Sequence, residues 1–160
     1  MNNKGFTLIE MIVAVLIVGI GILGIFSFVS KFSEQSQYIR DVSVAANLGQ
    51  EAIEIVKNIR DYNKINGLNW NAGLTECYAG CEIGYDDLYL SPWTGDGRFL
   101  YIENGTGYYK YIDLPQSGDI KTYYKRRVTI TPTNVNELHI RVDIYWEGNG
   151  YELYSKIYNW

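Results

Sequence analysis

Between Phe6 and Val29 the chain runs for twenty-four residues with Glu10 as its only charge and Thr7 and Ser27 as its only hydroxyl side chains. At 1.5 Å of rise per residue, a helix of that length spans about 36 Å, slightly more than the ~30 Å hydrocarbon core of a bilayer. A carboxylate inside such a run costs on the order of 2.5–3.5 kcal/mol at a helix centre and less near the interface. That cost makes Glu10 a candidate functional residue. The run is too long for the apolar region of a cleaved secretory signal, and no small-x-small cleavage site follows it. A short polar head, Met1–Gly5, precedes it, with Lys4 as the only cation on that side. The positive-inside rule therefore points to a cytoplasmic N-terminus and places the rest of the chain outside the cytoplasm.

An anchor of about thirty residues leaves about 130 for one compact domain with its own core. Thirteen of the fourteen Lys and Arg lie beyond the run, scattered among seventeen Asp and Glu, and the net charge is −4. No basic footprint for nucleic acid emerges, so nucleic acid is not expected as a partner. Fifteen Tyr and four Trp, all beyond the anchor, suit strands and turns.

The residues Lys4-Gly5-Phe6-Thr7-Leu8-Ile9-Glu10 resemble the processing motif of type IV prepilins and of the pseudopilins of type II secretion and competence systems. The resemblance covers the first thirty residues closely. It implies cleavage by a membrane peptidase after Gly5, N-methylation of the new terminal residue Phe6, and a role for Glu10 in assembly. The implied partners are other pilin or pseudopilin subunits, the prepilin peptidase and methylase, the inner-membrane assembly platform, and the membrane itself before assembly. The segment Met11–Ile17 leading to Gly19–Gly24 is similar to minor pilins of the V type and minor pseudopilins of the I type. Many major pilins have a proline about two-thirds of the way along the membrane helix; here Ser27 stands there, and the first proline is Pro92. That departure favours a minor role.

The helix is expected to continue past the bilayer. Phe32, Ile39, Val42, Ala46, Gly49, Ile53 and Val56, widened by Ala45, Ala52 and Ile59, form an apolar stripe with charges mostly off it. Asp61-Tyr62-Asn63 followed by Gly67 supplies stop chemistry near residue 61, for a helix of about 84 Å. Residues 63–93 show weak periodicity. They contain both cysteines, Cys77 and Cys81. An extracytoplasmic location makes a disulfide the leading reading, with free thiols left open. From residue 98 the pattern is β. Residues 98–103 and 108–114 flank Asn104–Gly107 as a hairpin, and residues 123–131 and 138–147 alternate. Asn149-Gly150 suggests a tight turn into residues 151–158. Four or five antiparallel strands then need one apolar face covered, and the helical stripe is the available cover.

The expected architecture is α+β: leader 1–5, membrane and filament-core helix 6–30, amphipathic continuation 31–61, variable region 62–97, and antiparallel sheet 98–160. Glu10 is read either as snorkelling to the interface or, as the resemblance implies, pairing with the Phe6 amine of a neighbouring subunit; the second is preferred. Ala14, Gly19, Gly21 and Gly24 are the small residues that permit close helix approach, and Gly19 is expected, with Glu10, as an assembly residue. His139 is expected on the solvent face of a strand, without a catalytic partner. Asp86, Asp87 and Asp96 fit no EF-hand spacing, and no metal or cofactor is expected. Lys125-Arg126-Arg127 is a short basic run in which Arg126 points inward. Asn104-Gly105-Thr106 is a formal glycosylation sequon, and the tyrosines are read as sheet packing. The reading is a non-enzymatic structural subunit of a type IV pilus-like filament, membrane-anchored with its C-terminal domain outside, then part of an extracellular or periplasmic filament. The alternatives are a minor pseudopilin of a secretion or competence system and, in another class, an anchored adhesin or ligand-binding module.

Overall fold

The computed structural model describes Gly5 and residues 7–160. One helix, α1 (Leu8–Ile65), runs through the N-terminal 40% of the chain, and two compact units divide along it, Met1–Asp41 and Val42–Trp160. Within the first unit, Phe32 and Ile39, read from sequence as part of the packing stripe, are 66% and 59% exposed. Burial of the stripe begins in the second unit, where Ala45, Leu48, Gly49, Ala52, Ile53, Ile55, Val56 and Ile59 are enclosed. The helix ends at Ile65 rather than near residue 61 because its stop is a Schellman motif. Gly67 takes φ 70°, its N–H donates to the Lys64 carbonyl, and the Leu68 N–H donates to the Asn63 carbonyl at 2.8 Å. The buried Asn63 side chain then holds the following loop through the carbonyls of Trp70 and Ala72.

The second unit is built on a five-stranded antiparallel sheet. Three strands are long: β6 (Lys125–Asn134), β7 (Glu137–Trp146) and β8 (Asn149–Tyr158). Two are two-residue strands, β1 (Cys81–Glu82) and β2 (Ser91–Pro92), and the order is β2-β1-β6-β7-β8. Alternation does what period two requires. Val128 and Ile130 face inward from β6, and Leu138, Ile140, Val142, Ile144 and Trp146 from β7. With Ile157 of β8 they form one core with the inward residues of α1. Gly49 is where α1 lies close to the sheet: a Cβ there would stand 2.6 Å from Leu153 Cδ1.

Two expectations need correction. The β7–β8 turn is Glu147-Gly148, both at positive φ, and not Asn149-Gly150. The two placements shift the register by an even number of residues, so both keep Leu153 and Ile157 on the core face and the apolar pattern cannot tell them apart. The observed turn pairs all ten residues of β7 with all ten of β8. The hairpin around Asn104–Gly107 exists, closed by Glu103 N–H to the Tyr108 carbonyl, but its strands are short. β3 (Tyr101–Ile102), β4 (Tyr109–Lys110) and β5 (Ile120–Lys121) form a separate three-stranded sheet in the order β4-β3-β5. Ion pairs reinforce it: Lys110 meets Glu103 at 3.0 Å and Asp86 at 3.3 Å, and hydrogen bonding to both carboxylates pushes its ammonium well above the usual lysine range.

Polar groups lock these layers together. Arg126 is fully buried; its guanidinium donates to the Leu48 carbonyl at 3.0 Å, to Glu51 Oε1 at 2.8 Å and to the Ile83 carbonyl. One side chain on β6 thus ties α1 to the segment after β1. Glu82, 2% exposed, accepts from the Arg98 backbone N–H at 2.7 Å and from Arg98 Nε at 2.6 Å. Cys77 and Cys81 are joined by a disulfide with Cα atoms 5.4 Å apart, and both lie in the core.

Two stability predictions follow from this packing. Arg126→Met should destabilise the chain by about 3 kcal/mol or more, because Glu51 and the Ile83 carbonyl lose their donor. Arg126→Lys should not rescue it, since an ammonium cannot span acceptors on two elements with a planar fork. Urea unfolding of the full chain in micelles, followed by circular dichroism, measures both. Replacing Cys77 and Cys81 by Ser should cost less, about 2 kcal/mol, because the ring joins positions only four apart. Unfolding with and without reductant checks that figure.

Candidate processing and assembly site

The first turn of α1 is organised by its own side chains. Thr7 is the N-cap: its backbone N–H and its hydroxyl each donate to Glu10 Oε2 at 2.8 Å, and the Glu10 N–H faces Thr7 Oγ1 at 3.4 Å. This is the reciprocal capping box of a Thr-x-x-Glu sequence. The signal stands in Thr7-Leu8-Ile9-Glu10, and the sequence reading, which considered only membrane chemistry for Glu10, missed it. Capping makes Glu10 less anomalous than a bare carboxylate in lipid, since one of its oxygens already receives two donors in the same chain.

Past the cap, α1 contains a stretch long and apolar enough to cross a membrane, with a mean hydropathy of 2.9 over eighteen residues and none of that window buried. Apolar side chains are exposed all round: Leu8 is 79% accessible, Val15 71%, Leu23 68% and Phe28 71%. A helix with no polar face has no stable place in water.

The glycines of this segment differ from Gly49. A Cβ built on Gly19, Gly21 or Gly24 would meet no described atom within 4 Å. Nothing in the described residues therefore calls for glycine at these positions, although each costs a helix about 1 kcal/mol relative to alanine. At 3.6 residues per turn, Ala14, Gly21 and Gly24 fall within about 40° of Glu10 around the helix, whereas Gly19 lies roughly opposite. The structure thus brings three of the four expected small residues onto one face with the carboxylate and leaves Gly19 off it. Ser27 donates its hydroxyl to the Leu23 carbonyl at 3.0 Å, so it is satisfied within the helix.

Gly5 is exposed, and a Cβ there would meet no described atom within 4 Å. Phe6, the expected methylation site, lies outside the described residues, as do Met1 to Lys4. Elsewhere, His139 bonds Glu137 Oε1 at 2.9 Å on the outer face of β7, and Lys156 shares that carboxylate at 2.9 Å. Those two hydrogen bonds hold the Glu137 carboxyl below the usual range. Asp86 is engaged by Lys110, and Asp87 accepts the Gly84 N–H. The run Lys125-Arg126-Arg127 is split by burial of its middle member, and Arg127 donates to the Ala79 carbonyl at 2.7 Å. The Asn104 amide of the sequon donates to the Ser117 carbonyl at 3.3 Å.

With this geometry in place, comparison with known proteins adds one finding. Residues 1–26 match the family model described as the prokaryotic N-terminal methylation motif. No curated protein and no solved structure matches the chain. The matched segment contains Gly5, the capping pair Thr7 and Glu10, and the glycines at 19, 21 and 24. Over residues 1–26 the chain carries the signature of the type IV prepilins and pseudopilins.

Proposed function

We propose that the chain is a structural, non-enzymatic subunit, of the minor kind, of a type IV pilus-like filament. It is processed after Gly5 by prepilin peptidase, N-methylated at Phe6 and assembled through its N-terminal helix. The observation that carries this reading is the face bearing Glu10, Ala14, Gly21 and Gly24. On that face Ala14, Gly21 and Gly24 flank Ile17 beside the carboxylate, and a Cβ on Gly21 or Gly24 would meet no described atom within 4 Å. Small residues let helix backbones approach closely, which is how apolar helices associate when lipid offers no hydrophobic driving force. Residues 6–30 thus serve two purposes in turn. Lipid surrounds them first, and neighbouring helices replace the lipid when the subunit leaves the membrane for a filament outside the cytoplasm.

Glu10 supplies register. In the single chain its carboxylate is held by neutral donors of Thr7. Cleavage after Gly5 creates an ammonium at Phe6, and a neighbouring subunit's ammonium is a stronger partner in a dry helix bundle than a hydroxyl. Exchange of one for the other fixes the axial offset between subunits. The minor assignment is supported by the absence of proline from α1, which continues unbroken to Ile65.

Glu10→Val should leave membrane insertion and cleavage intact and abolish incorporation into filaments, read by fractionation and by immunoblotting of sheared filaments. Wild-type incorporation would exclude the pairing role. Gly21→Leu should lower incorporation by roughly tenfold, the effect of losing 1–2 kcal/mol of helix contact. Gly19→Leu, on the opposite side, should lower it less. Equal effects at both positions would show that Glu10's face is not the contact.

A further inference from the structure

On the sheet unit a cleft of about 340 Å³ opens where β6 begins and the β7–β8 turn closes. Phe99, Tyr123 and Tyr145 line it with rings, and Lys125, Glu147 and Asn149 line it with polar groups. Its size lies in the range of small-molecule sites. Lys125 and Tyr145 are direct cross-strand neighbours; Tyr145's partner on β8 is Gly150, which has no side chain, and the Trp93 ring packs tilted against the Tyr145 ring with centroids 6.3 Å apart. Tyr145 remains 37% and Tyr123 41% exposed.

Two observations indicate what such a cleft would hold. The first is charge. The Lys121 and Lys125 ammonium groups lie 4.5 and 4.6 Å from the Phe99 ring centre, and Lys125 also donates to the Asp96 carbonyl at 3.1 Å. Lys125 keeps its charge and further N–H donors, and the exposed Glu147 carboxylate shares the rim, so the lining carries both signs and offers donors and acceptors together rather than a field of one sign. The second is backbone strain. Glu147 sits at φ 42°, in a turn position ordinarily taken by Asn or Gly. A side chain kept at a sterically costly position points to a use for it. The carboxylate accepts hydrogen bonds, the Lys125 ammonium donates them, and the Asn149 amide does both. An exposed tyrosine ring offers an apolar face with a polar edge.

We propose that this cleft binds a neutral pyranose unit of a saccharide, with a C–H face of the sugar against Tyr145 and its hydroxyls shared among Lys125, Glu147 and Asn149. Every residue involved lies in the Val42–Trp160 unit, so the proposal stands apart from the assembly role.

The test uses the full chain in a polyoxyethylene detergent, which carries no sugar. The protein is passed over immobilised neutral oligosaccharides of glucose, galactose, mannose and N-acetylglucosamine, beside a polyuronate and an oligothymidylate. Retention on at least one neutral oligosaccharide, competed by its free methyl pyranoside, is expected. Tyr145→Ala should weaken that affinity by about tenfold or more, Tyr145→Phe should largely preserve it, and Glu147→Gln should weaken it with unchanged circular dichroism. Three results would overturn the proposal: no retention on any neutral oligosaccharide, undiminished retention in either Tyr145→Ala or Glu147→Gln, or preferential retention on oligothymidylate or polyuronate that Lys125→Ala abolishes.

Discussion

A helix that is apolar on every side needs an apolar medium, and most other features of this chain accommodate that need. The first half of α1 exposes Leu8, Val15, Leu23 and Phe28 to whatever surrounds it. Lipid satisfies this surface, and so do other helices of the same kind. The second half of the same helix is apolar on one side only, and its own sheet supplies the cover. One secondary-structure element therefore carries two kinds of surface: the apolar run ends at Val29, burial against the sheet begins at Ala45, and the mostly polar residues 30–41 lie between.

The sheet unit is held by interactions that hydrophobic patterning does not specify. Arg126 places a guanidinium where an aliphatic residue would satisfy the alternation, and it spends that charge on α1 and on the segment after β1. Glu82 does the same toward Arg98. Buried ion pairs add little net stability compared with well-packed apolar groups, but they punish misalignment because each partner depends on the other. In a unit with several two-residue strands, whose ladders alone define position weakly, such pairs select one arrangement of loop and sheet.

The parts that sequence reasoning reached are those governed by period and by strong local signals. The apolar run, the stripe over its part from Val42 to Ile59, the alternation read over residues 123–131 and 138–147, and the inward Arg126 all follow from spacing. What it missed has physical reasons. The β7–β8 turn was misplaced because an even register shift preserves the core face, and because a glutamate at positive φ is not a turn signal. The strands at Cys81–Glu82 and Ser91–Pro92 are too short for any period to show. Leu48 and Ile55 widen the helical stripe beyond the narrow seam inferred for it. At the processing and assembly segment, Gly5 and Glu10 were legible as a motif, whereas the angular separation of Gly19 from Gly21 and Gly24 needed an unbroken helix to give it meaning.

The capping box has a consequence for maturation. A cut after Gly5 would leave Thr7 and Glu10 together on the mature chain, so the instruction that starts the helix is written downstream of the cut. Removing the leader would then change the charge at the helix entrance without changing where the helix begins. The precursor and the mature subunit would share one fold, and the peptidase would act as an electrostatic editor rather than as a trigger for refolding.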